Sequence, residues 1–386
     1  MRIAQSAWIL SQGRSSLTAS FEAIVPPHVL ALKPYEPGKP VAELERELGI
    51  RDAVKVASNE NPLGPSPRAL SALAEAVDKI HFYPDGGCHS LRLALASHLH
   101  VDPNSVIIGA GCDELIHLVV RAFCRPGIDE VLTHRYAFIS YKLAAAAHNV
   151  PCVETGVSPT LRCDVDQLIA GMSEKTRVVF VANPNNPTGA HLSASELARV
   201  IEATPPTAIA VVDEAYHEYA TAADPEYPSS QVLHQGRPLL LTLRTFSKLY
   251  GLAALRVGYA VGDERVVGIL NRIRGPFNVG TLAQVAAIAA LQDVDHVRKS
   301  LDLANHSISS LRSAAHALGL TAYPSLGNFV LIDTRRDATA VYQALLRRGI
   351  IVRPMAAWGL PQHLRVSIGT TAQTSRVIEA LGHVLR

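Results

Sequence analysis

No stretch of this 386-residue chain approaches the roughly 18 uninterrupted apolar residues that a membrane-spanning helix needs. An early apolar run, Ala7-Trp8-Ile9-Leu10, is too short for a signal-peptide core. Neither charge dominates: 36 Lys and Arg against 34 Asp and Glu leave a net +2. So balanced a chain has no strong pull toward nucleic acid or an anionic membrane, and neither is expected as a partner. The five cysteines (Cys88, Cys112, Cys124, Cys152, Cys163) form no Cys-x-x-Cys pair. An odd number of scattered thiols in a long chain reads as reduced cysteine in a cytoplasm, not as a disulfide framework. Sixteen histidines include no His-Glu-x-x-His, and their densest cluster is His98-Leu99-His100, so no metal site is expected. Gly109-x-Gly111 lacks the third glycine of a dinucleotide fingerprint, since Glu114 stands there. Internal repeats and low-complexity tracts are also missing.

What is present is core material. Hydrophobic residues make up 48% of the chain and charged residues 18%, below the roughly 25% of an average soluble protein. That composition excludes a disordered chain. At roughly 100–200 residues per domain, the length indicates two domains, or one large domain with a smaller partner.

The middle of the chain alternates short apolar, β-branched runs with helical patterns. Strands are predicted at 105–109, 129–132, 177–181, 208–212 and 239–243, with helices at 113–123, 138–147 and 193–203. Ser193 with Glu196 three residues on makes a capping box for the last of these. Strands apolar on both faces and separated by helices indicate a mainly parallel sheet covered on both sides, an α/β domain. The C-terminal part reads as a smaller α+β domain. It has a long helix at 294–318, strands at 328–332 and 364–368, and helices at 337–347 and 374–385. Pro26, Pro27, Pro34, Pro37 and Pro40 indicate an extended N-terminal arm, followed by a helix at Val41–Leu48. The expected division is an arm that also contributes to the small domain (1–50), a large domain (51–290) and a small C-terminal domain (291–386).

Three segments carry chemistry. They are Asn183-Pro184-Asn185-Asn186-Pro187-Thr188-Gly189, Asp213-Glu214-Ala215-Tyr216, and Thr245-Phe246-Ser247-Lys248 with Arg256 eight residues later. Each follows an apolar strand, and ligands of open α/β sheets collect where strands end and helices begin. An amide, a carboxylate, a phenol, hydroxyls, a lysine and an arginine would meet there. Pyridoxal phosphate needs that set: a lysine for its aldehyde, a carboxylate against its ring nitrogen, and donors for its phenolic oxygen. Its phosphate takes hydroxyls, an arginine and the backbone N–H groups of a helix N-terminus. The glycine-containing turn Gly109-Ala110-Gly111-Cys112-Asp113-Glu114 supplies the last of these.

At these residues the chain resembles the pyridoxal-phosphate aminotransferases of the aspartate-aminotransferase fold (fold type I), and most closely the histidinol-phosphate aminotransferases. The likeness runs over nearly the whole chain. It includes Pro34-Tyr35-Glu36-Pro37-Gly38, the run Ala57-Ser58-Asn59-Glu60-Asn61-Pro62-Leu63-Gly64, Tyr83-Pro84-Asp85-Gly86, Ala137-Phe138, Tyr250-Gly251-Leu252, Pro276-Phe277-Asn278, Asn328-Phe329, Val352-Arg353-Pro354 and Leu364-Arg365-Val366-Ser367-Ile368-Gly369. The resemblance implies a role for each matching residue. Lys248 holds the cofactor as a Schiff base and shuttles the substrate proton. Asp213 pairs with the ring nitrogen, Tyr216 and Asn186 bond the phenolic oxygen, and Phe138 stacks on the ring. Thr245, Ser247, Arg256 and the amides of Cys112 and Asp113 hold the phosphate. Asn186 also borders the substrate, Arg365 binds its carboxylate or phosphate, and Arg353 is a second anion-binding residue nearby. Tyr35 reaches the pocket of a second subunit, so the active sites are shared in a homodimer. The implied reaction is a ping-pong transamination between histidinol phosphate and 2-oxoglutarate, a step of histidine biosynthesis.

The chain also departs from the family pattern. Gly109-Ala110-Gly111-Cys112 stands where Gly-Asn-Gly-Ser is usual, Asp85-Gly86-Gly87-Cys88-His89 lacks an aromatic residue, and Trp358 replaces a Tyr. A thiol at a helix N-terminus is expected to have a lowered pKa and to react with oxidants or alkylators. The departures keep two alternatives open. One is an aromatic amino-acid aminotransferase, or a lyase or oxidase of a specialised pathway, on the same fold. The other is a non-catalytic cofactor-binding protein. Residue by residue, the plainer readings are a solvated Lys248, Asp213 as a helix cap, Tyr216 as a core tyrosine, and Arg256 and Arg365 in surface ion pairs.

Overall fold

A computed structural model describes residues 21–34, 38–233 and 236–385. The chain divides into two units, Met1–Glu36 and Pro37–Arg386. The described part of the first holds a 3₁₀ turn, Phe21–Ile24, and a short helix, Pro27–Leu30, with proline at its first position.

The strands of the second unit, in chain order, begin with β1 (Val54–Lys55). Then come β2 (Val106–Gly109), β3 (Glu130–His134), β4 (Cys152–Thr155), β5 (Thr176–Ala182), β6 (Ile209–Asp213), β7 (Leu240–Thr245) and β8 (Gly258–Gly262). The C-terminal part adds β9 (Thr321–Ala322), β10 (Phe329–Asp333), β11 (Ile350–Ile351), β12 (Arg353–Pro354) and β13 (His363–Ser367).

The seven strands β2 to β8 form one sheet in the order β2-β8-β7-β6-β5-β3-β4. Only β8 runs against its neighbours, so β2, β3, β5, β6 and β7 all point their C-terminal ends to one edge. The central strands are buried on both faces, as their continuous apolar runs require. Val178 and Phe180 of β5 pack with Ile209 and Val211 of β6 under the helices Gly111–Phe123 and Ser140–Ala147. The alternate residues, Val179, Val181, Ala210 and Val212, pack on the other face against Leu197, Val200 and Ile201 of the helix Ala194–Ala203. Ser193 and Glu196 close the capping box on that helix. The expected α/β architecture is therefore the one observed.

The C-terminal part forms a four-stranded antiparallel sheet, β12-β13-β10-β9. Chain from before residue 57 joins it: β1 pairs with β11 in parallel, and Leu44 of the helix Val41–Leu48 packs against Leu346 and Ile351.

Three helix starts differ from the sequence pattern, and the last helix, expected from 374, begins at Thr371. The helix expected from 138 begins at Ser140, because Tyr136 takes a φ of +59° and the turn it makes leaves Phe138 ahead of the helix. The one expected from 113 begins at Gly111, whose φ of +82° suits glycine alone.

Candidate active site

The strand topology brings four connections to one place. β5, β6 and β7 are adjacent and parallel, so the segments beginning at Asn183, Glu214 and Phe246 leave the same sheet edge, as does the turn after β2. They enclose a cavity of about 280 Å³. Lys248, Asp213, Tyr216, Asn186 and Phe138 line it, and so do Thr245, Ser247, Arg256, Cys112 and Asp113. Ser58 and Glu60, from the segment after β1, complete the wall. Ten residues singled out in the sequence thus line one space; Lys248 is not a solvated surface lysine, while Arg256 lines the cavity from an exposed position.

Lys248 Nζ donates to the Ser58 carbonyl at 3.1 Å. Desolvation in the cavity, reinforced by the positive charges of Arg365 and Arg256, pulls its pKa down to about 8, against an opposing pull from Glu60. Asp213 lies at the end of β6 and is buried. Its Oδ2 accepts from the Tyr141 hydroxyl at 2.9 Å and its Oδ1 from the Ala215 N–H at 3.1 Å. Burial nonetheless raises its pKa to about 6, because two donors do not repay the lost hydration. The cap-like bond to Ala215 is real, and it uses one oxygen only.

Tyr216 is buried beside it, and its hydroxyl oxygen accepts from Asn59 Nδ2 at 2.8 Å. Burial pushes this phenol up to about 12, so it remains a hydrogen-bond donor at neutral pH. Asn186 Oδ1 accepts from Arg365 Nη1 at 2.6 Å, which turns the amide so that Nδ2 is the end left for the cavity. Arg365 is itself buried on β13, with Nη2 donating to the Ala57 carbonyl at 2.6 Å and its guanidinium over the Phe329 ring. It is not a surface ion-pair residue. Phe138 meets the edge of Tyr141, which in turn stacks flat on Phe180 at 4.5 Å.

One end of the cavity is a cradle shaped by glycine. A Cβ on Gly111 would come 2.6 Å from Arg256 Nη2, and one on Gly258 would come 2.9 Å from the Cys112 nitrogen. The absence of both side chains lets the guanidinium and strand β8 close on the first turn of the helix Gly111–Phe123. Arg256 sits at a φ of +52° and is tied to the Ala253 carbonyl at 3.0 Å. Thr245 Oγ1 accepts from the Ser247 N–H at 3.0 Å.

The expectation of an activated thiol at Cys112 is overturned. Its pKa lies well above the ordinary thiol value, chiefly through burial and then through the nearby Asp213 charge. Its Sγ donates to the Arg244 carbonyl at 3.2 Å, so it behaves as a packed thiol, not a thiolate. Arg353 does not line the cavity; it lies over the Trp358 ring at 5.4 Å. It is, however, the cross-strand partner of Arg365, which puts the two side chains on one face of the small sheet. Tyr35 falls outside the described residues.

Sequence reasoning missed Tyr141, Asn59 and Ser367 as parts of the site. Tyr141 had a signal, since it stands one helical turn after Phe138. Asn59 and Ser367 stand inside two of the runs that carry the family resemblance, but no local pattern shows that they meet, because they lie 308 residues apart in the chain.

Residues 51–381 match the family described as aminotransferase class I and II. The chain is 46% identical over 372 residues to histidinol-phosphate aminotransferase 2 of Pseudomonas aeruginosa, covering 95% of this chain and 99% of the relative. It is 45% identical over 363 residues to the histidinol-phosphate aminotransferase of an Anaeromyxobacter species, covering 94% and 99%. The crystal structure of histidinol-phosphate aminotransferase from Sinorhizobium meliloti in complex with pyridoxal-5'-phosphate superposes with a TM-score of 0.86 at 29% identity, covering 96% of this chain and 99% of that one. Aspartate aminotransferase from Thermus thermophilus, solved with maleate, shares the fold with a TM-score of 0.80 at 22% identity, covering 93% and 99%. With the sheet, the lysine and the buried carboxylate in place, and a family match that spans most of the sequence, the chain belongs to the class I and II aminotransferases.

Proposed function

We propose that this protein is a pyridoxal-phosphate-dependent aminotransferase that exchanges the amino group between histidinol phosphate and 2-oxoglutarate, in histidine biosynthesis. The observation that carries the reading is one cavity that holds an amine of lowered pKa, a buried carboxylate and an anion cradle at a helix N-terminus. The donor set fits the cofactor: the cradle that a Cβ at Gly111 or Gly258 would fill takes a phosphate, and Asp213 is a buried carboxylate whose hydrogen bonds come from two neutral donors, Tyr141 and Ala215.

Pyridoxal phosphate supplies an aldehyde that captures amines and a ring that accepts the electron pair left when a substrate carbon loses its proton. The protein's residues supply the rest. Lys248 would hold the cofactor through its Nζ, and the same amine, whose pKa in the empty cavity is lowered to about 8, would serve as the base that takes the proton from substrate carbon and returns it. Asp213 keeps a proton on the ring nitrogen, fixed in place by Tyr141 and Ala215. Tyr216 and Asn186 donate to the phenolic oxygen, and Phe138 covers one face of the ring. Thr245, Ser247, Arg256 and the amides of Cys112 and Asp113 hold the phosphate. Arg365 binds the anionic end of each substrate, the carboxylate of glutamate or the phosphate of histidinol phosphate, with Arg353 beside it as a second positive charge.

The reading extends to a cytoplasmic homodimer with shared active sites. Its support is an exposed apolar patch on one side of the large sheet's unit, where Ile80, Phe82 and Tyr83 stand in solvent and Tyr83 stacks on the half-exposed Phe277. All five cysteines are free thiols, and no helix among the described residues is long and apolar enough to cross a membrane.

The test is product analysis. The holoenzyme, given histidinol phosphate and 2-oxoglutarate, is expected to form glutamate in amounts equal to the keto product. Faster glutamate formation from phenylalanine would move the assignment to an aromatic aminotransferase, and a product formed without glutamate would overturn transamination.

A further inference from the structure

Asn59 stands behind Tyr216 with its backbone and side chain fully engaged. Its N–H donates to Ser367 Oγ at 2.9 Å, and its Oδ1 accepts from the same hydroxyl at 2.6 Å. Its carbonyl accepts from Asn328 Nδ2 at 2.9 Å, and its own Nδ2 donates to the Tyr216 oxygen at 2.8 Å. Asn59 is 1% exposed and Ser367 2%. A φ of +59° holds Asn59 in the left-handed region, which costs most residues energy and which asparagine tolerates. Strain of this kind, over-determined by four hydrogen bonds, is characteristic of functional positions.

The direction of each bond matters. A phenol has one hydrogen to give. Because Asn59 presents an N–H to the Tyr216 oxygen, the tyrosine's own hydrogen points elsewhere, and the side chain borders the cavity. Were the Asn59 amide reversed, its oxygen would take that hydrogen away from the cavity. With the amide as placed, the Ser367 hydroxyl donates to Oδ1 and so leaves Nδ2 for the tyrosine.

We propose that Asn59 is a positioning residue, oriented by Ser367 of β13, that keeps the Tyr216 hydrogen aimed into the cavity. The proposal rests on the cofactor reading above and adds what holds the phenol in its donating state. It also makes the small sheet a structural determinant of the site, since Ser367 and Arg365, two residues apart on β13, orient Tyr216 and Asn186 respectively. The other titratable groups facing Tyr216 are Arg365 of β13, Asp213 of β6, Cys112 in the helix Gly111–Phe123, Tyr141 in the helix Ser140–Ala147 and Tyr219 in the helix His217–Ala223. None of them changes in the variants below.

Asn59→Asp keeps the shape, tolerates the positive φ, and sets an acceptor where the donor stands. Asn59→Gly tolerates the φ and removes the amide altogether. The readout is the pH midpoint of the visible absorbance band of the lysine-bound cofactor in the holoenzyme. A donor on the phenolic oxygen stabilises its negative charge, so withdrawing the donor raises the midpoint. Both variants are expected to raise it in the direction of Tyr216→Phe, by about one pH unit, the worth of one lost hydrogen bond. In the Tyr216→Phe background, Asn59→Gly is expected to add less than about a third of that shift, because the two act through one hydrogen. Thermal unfolding of each cofactor-free variant separates lost fold from lost positioning. If neither Asn59 variant folds, Ser367→Ala carries the test and is expected to shift the midpoint the same way. An unchanged midpoint in variants that fold and bind the cofactor, or a shift equally large without the Tyr216 hydroxyl, overturns the proposal. A native protein that never develops the band overturns the cofactor reading itself.

Discussion

At the scale of single residues, burial does most of the chemical tuning, and it acts in opposite senses on two neighbours. Lys248 is pulled down to about 8, so its neutral amine becomes the main form more than two units below the lysine norm. The rate at which the cofactor-free chain takes up added pyridoxal phosphate is expected to rise with pH and level off above about 8. A rise that continues to pH 10.5 would show a lysine in bulk water. Lys248→Ala is expected to cut turnover by at least about 10³-fold, the upper range for a lost general base. Asp213 is raised to about 6, so the fold holds its proton more tightly than the unfolded chain does, and the buried charge weakens the fold as pH climbs from about 4 through 6. Asp213→Asn should therefore raise the melting temperature of the cofactor-free chain at pH 7, give no such gain at pH 4, and lower kcat by about 10²-fold or more. A variant destabilised at pH 7 would contradict this. These two residues were legible in the sequence because Asp213 closes an apolar strand and Lys248 follows one. Asn59 and Ser367 stood in runs that match the family, yet their pairing was not legible, since no local pattern marks a hydrogen bond between a left-handed turn and a strand 308 residues away. Cys112 was legible as a position and misread in its chemistry: the helix start lowers a thiol's pKa only where water and cations outweigh burial and a nearby carboxylate.

At the scale of elements, the site depends on close approach between backbones. β8 enters beside the helix Gly111–Phe123 with Gly258 against the Cys112 nitrogen, the Gly111 carbonyl carbon and the Arg244 carbonyl oxygen. A methyl group there meets backbone on three sides, and backbone cannot swing aside as a side chain can. Gly258→Ala is expected to weaken cofactor binding by at least about tenfold, the equivalent of roughly 1.4 kcal/mol, through a displaced cradle. Equilibrium titration of the cofactor-free variant reads this directly, and unchanged affinity would mean the phosphate is held elsewhere. The helix Ala194–Ala203 gives a control remote from the site. Ser193→Ala removes half of its capping box and is expected to cost about 1 kcal/mol of stability while leaving kcat unaltered. Helix and strand identities were readable from periodicity here, and so was the capping box. The start of the helix at Ser140 was not, because the turn at Tyr136 depends on a left-handed backbone that its sequence does not advertise.

At the scale of the whole molecule, the topology makes the site. Adjacent parallel strands β5, β6 and β7 deliver the asparagine, the carboxylate and the lysine to one edge, and β13 of the small sheet brings Arg365 to Asn186 from a separate layer. The exposed patch of Ile80, Phe82 and Tyr83 gives the quaternary expectation: light scattering should find twice the chain mass, and Ile80→Asp should shift the population toward monomer. The central claim is an amino transfer on a lysine-held cofactor with histidinol phosphate as donor. The most direct measurement is an absorbance titration of the purified holoenzyme with L-histidinol phosphate and no keto acid. The visible band is expected to be lost as the donor is added and to return when 2-oxoglutarate follows. A band that histidinol phosphate leaves unchanged, while phenylalanine or another amino acid removes it, would contradict the substrate assignment. A band that no amino donor removes would contradict transamination altogether.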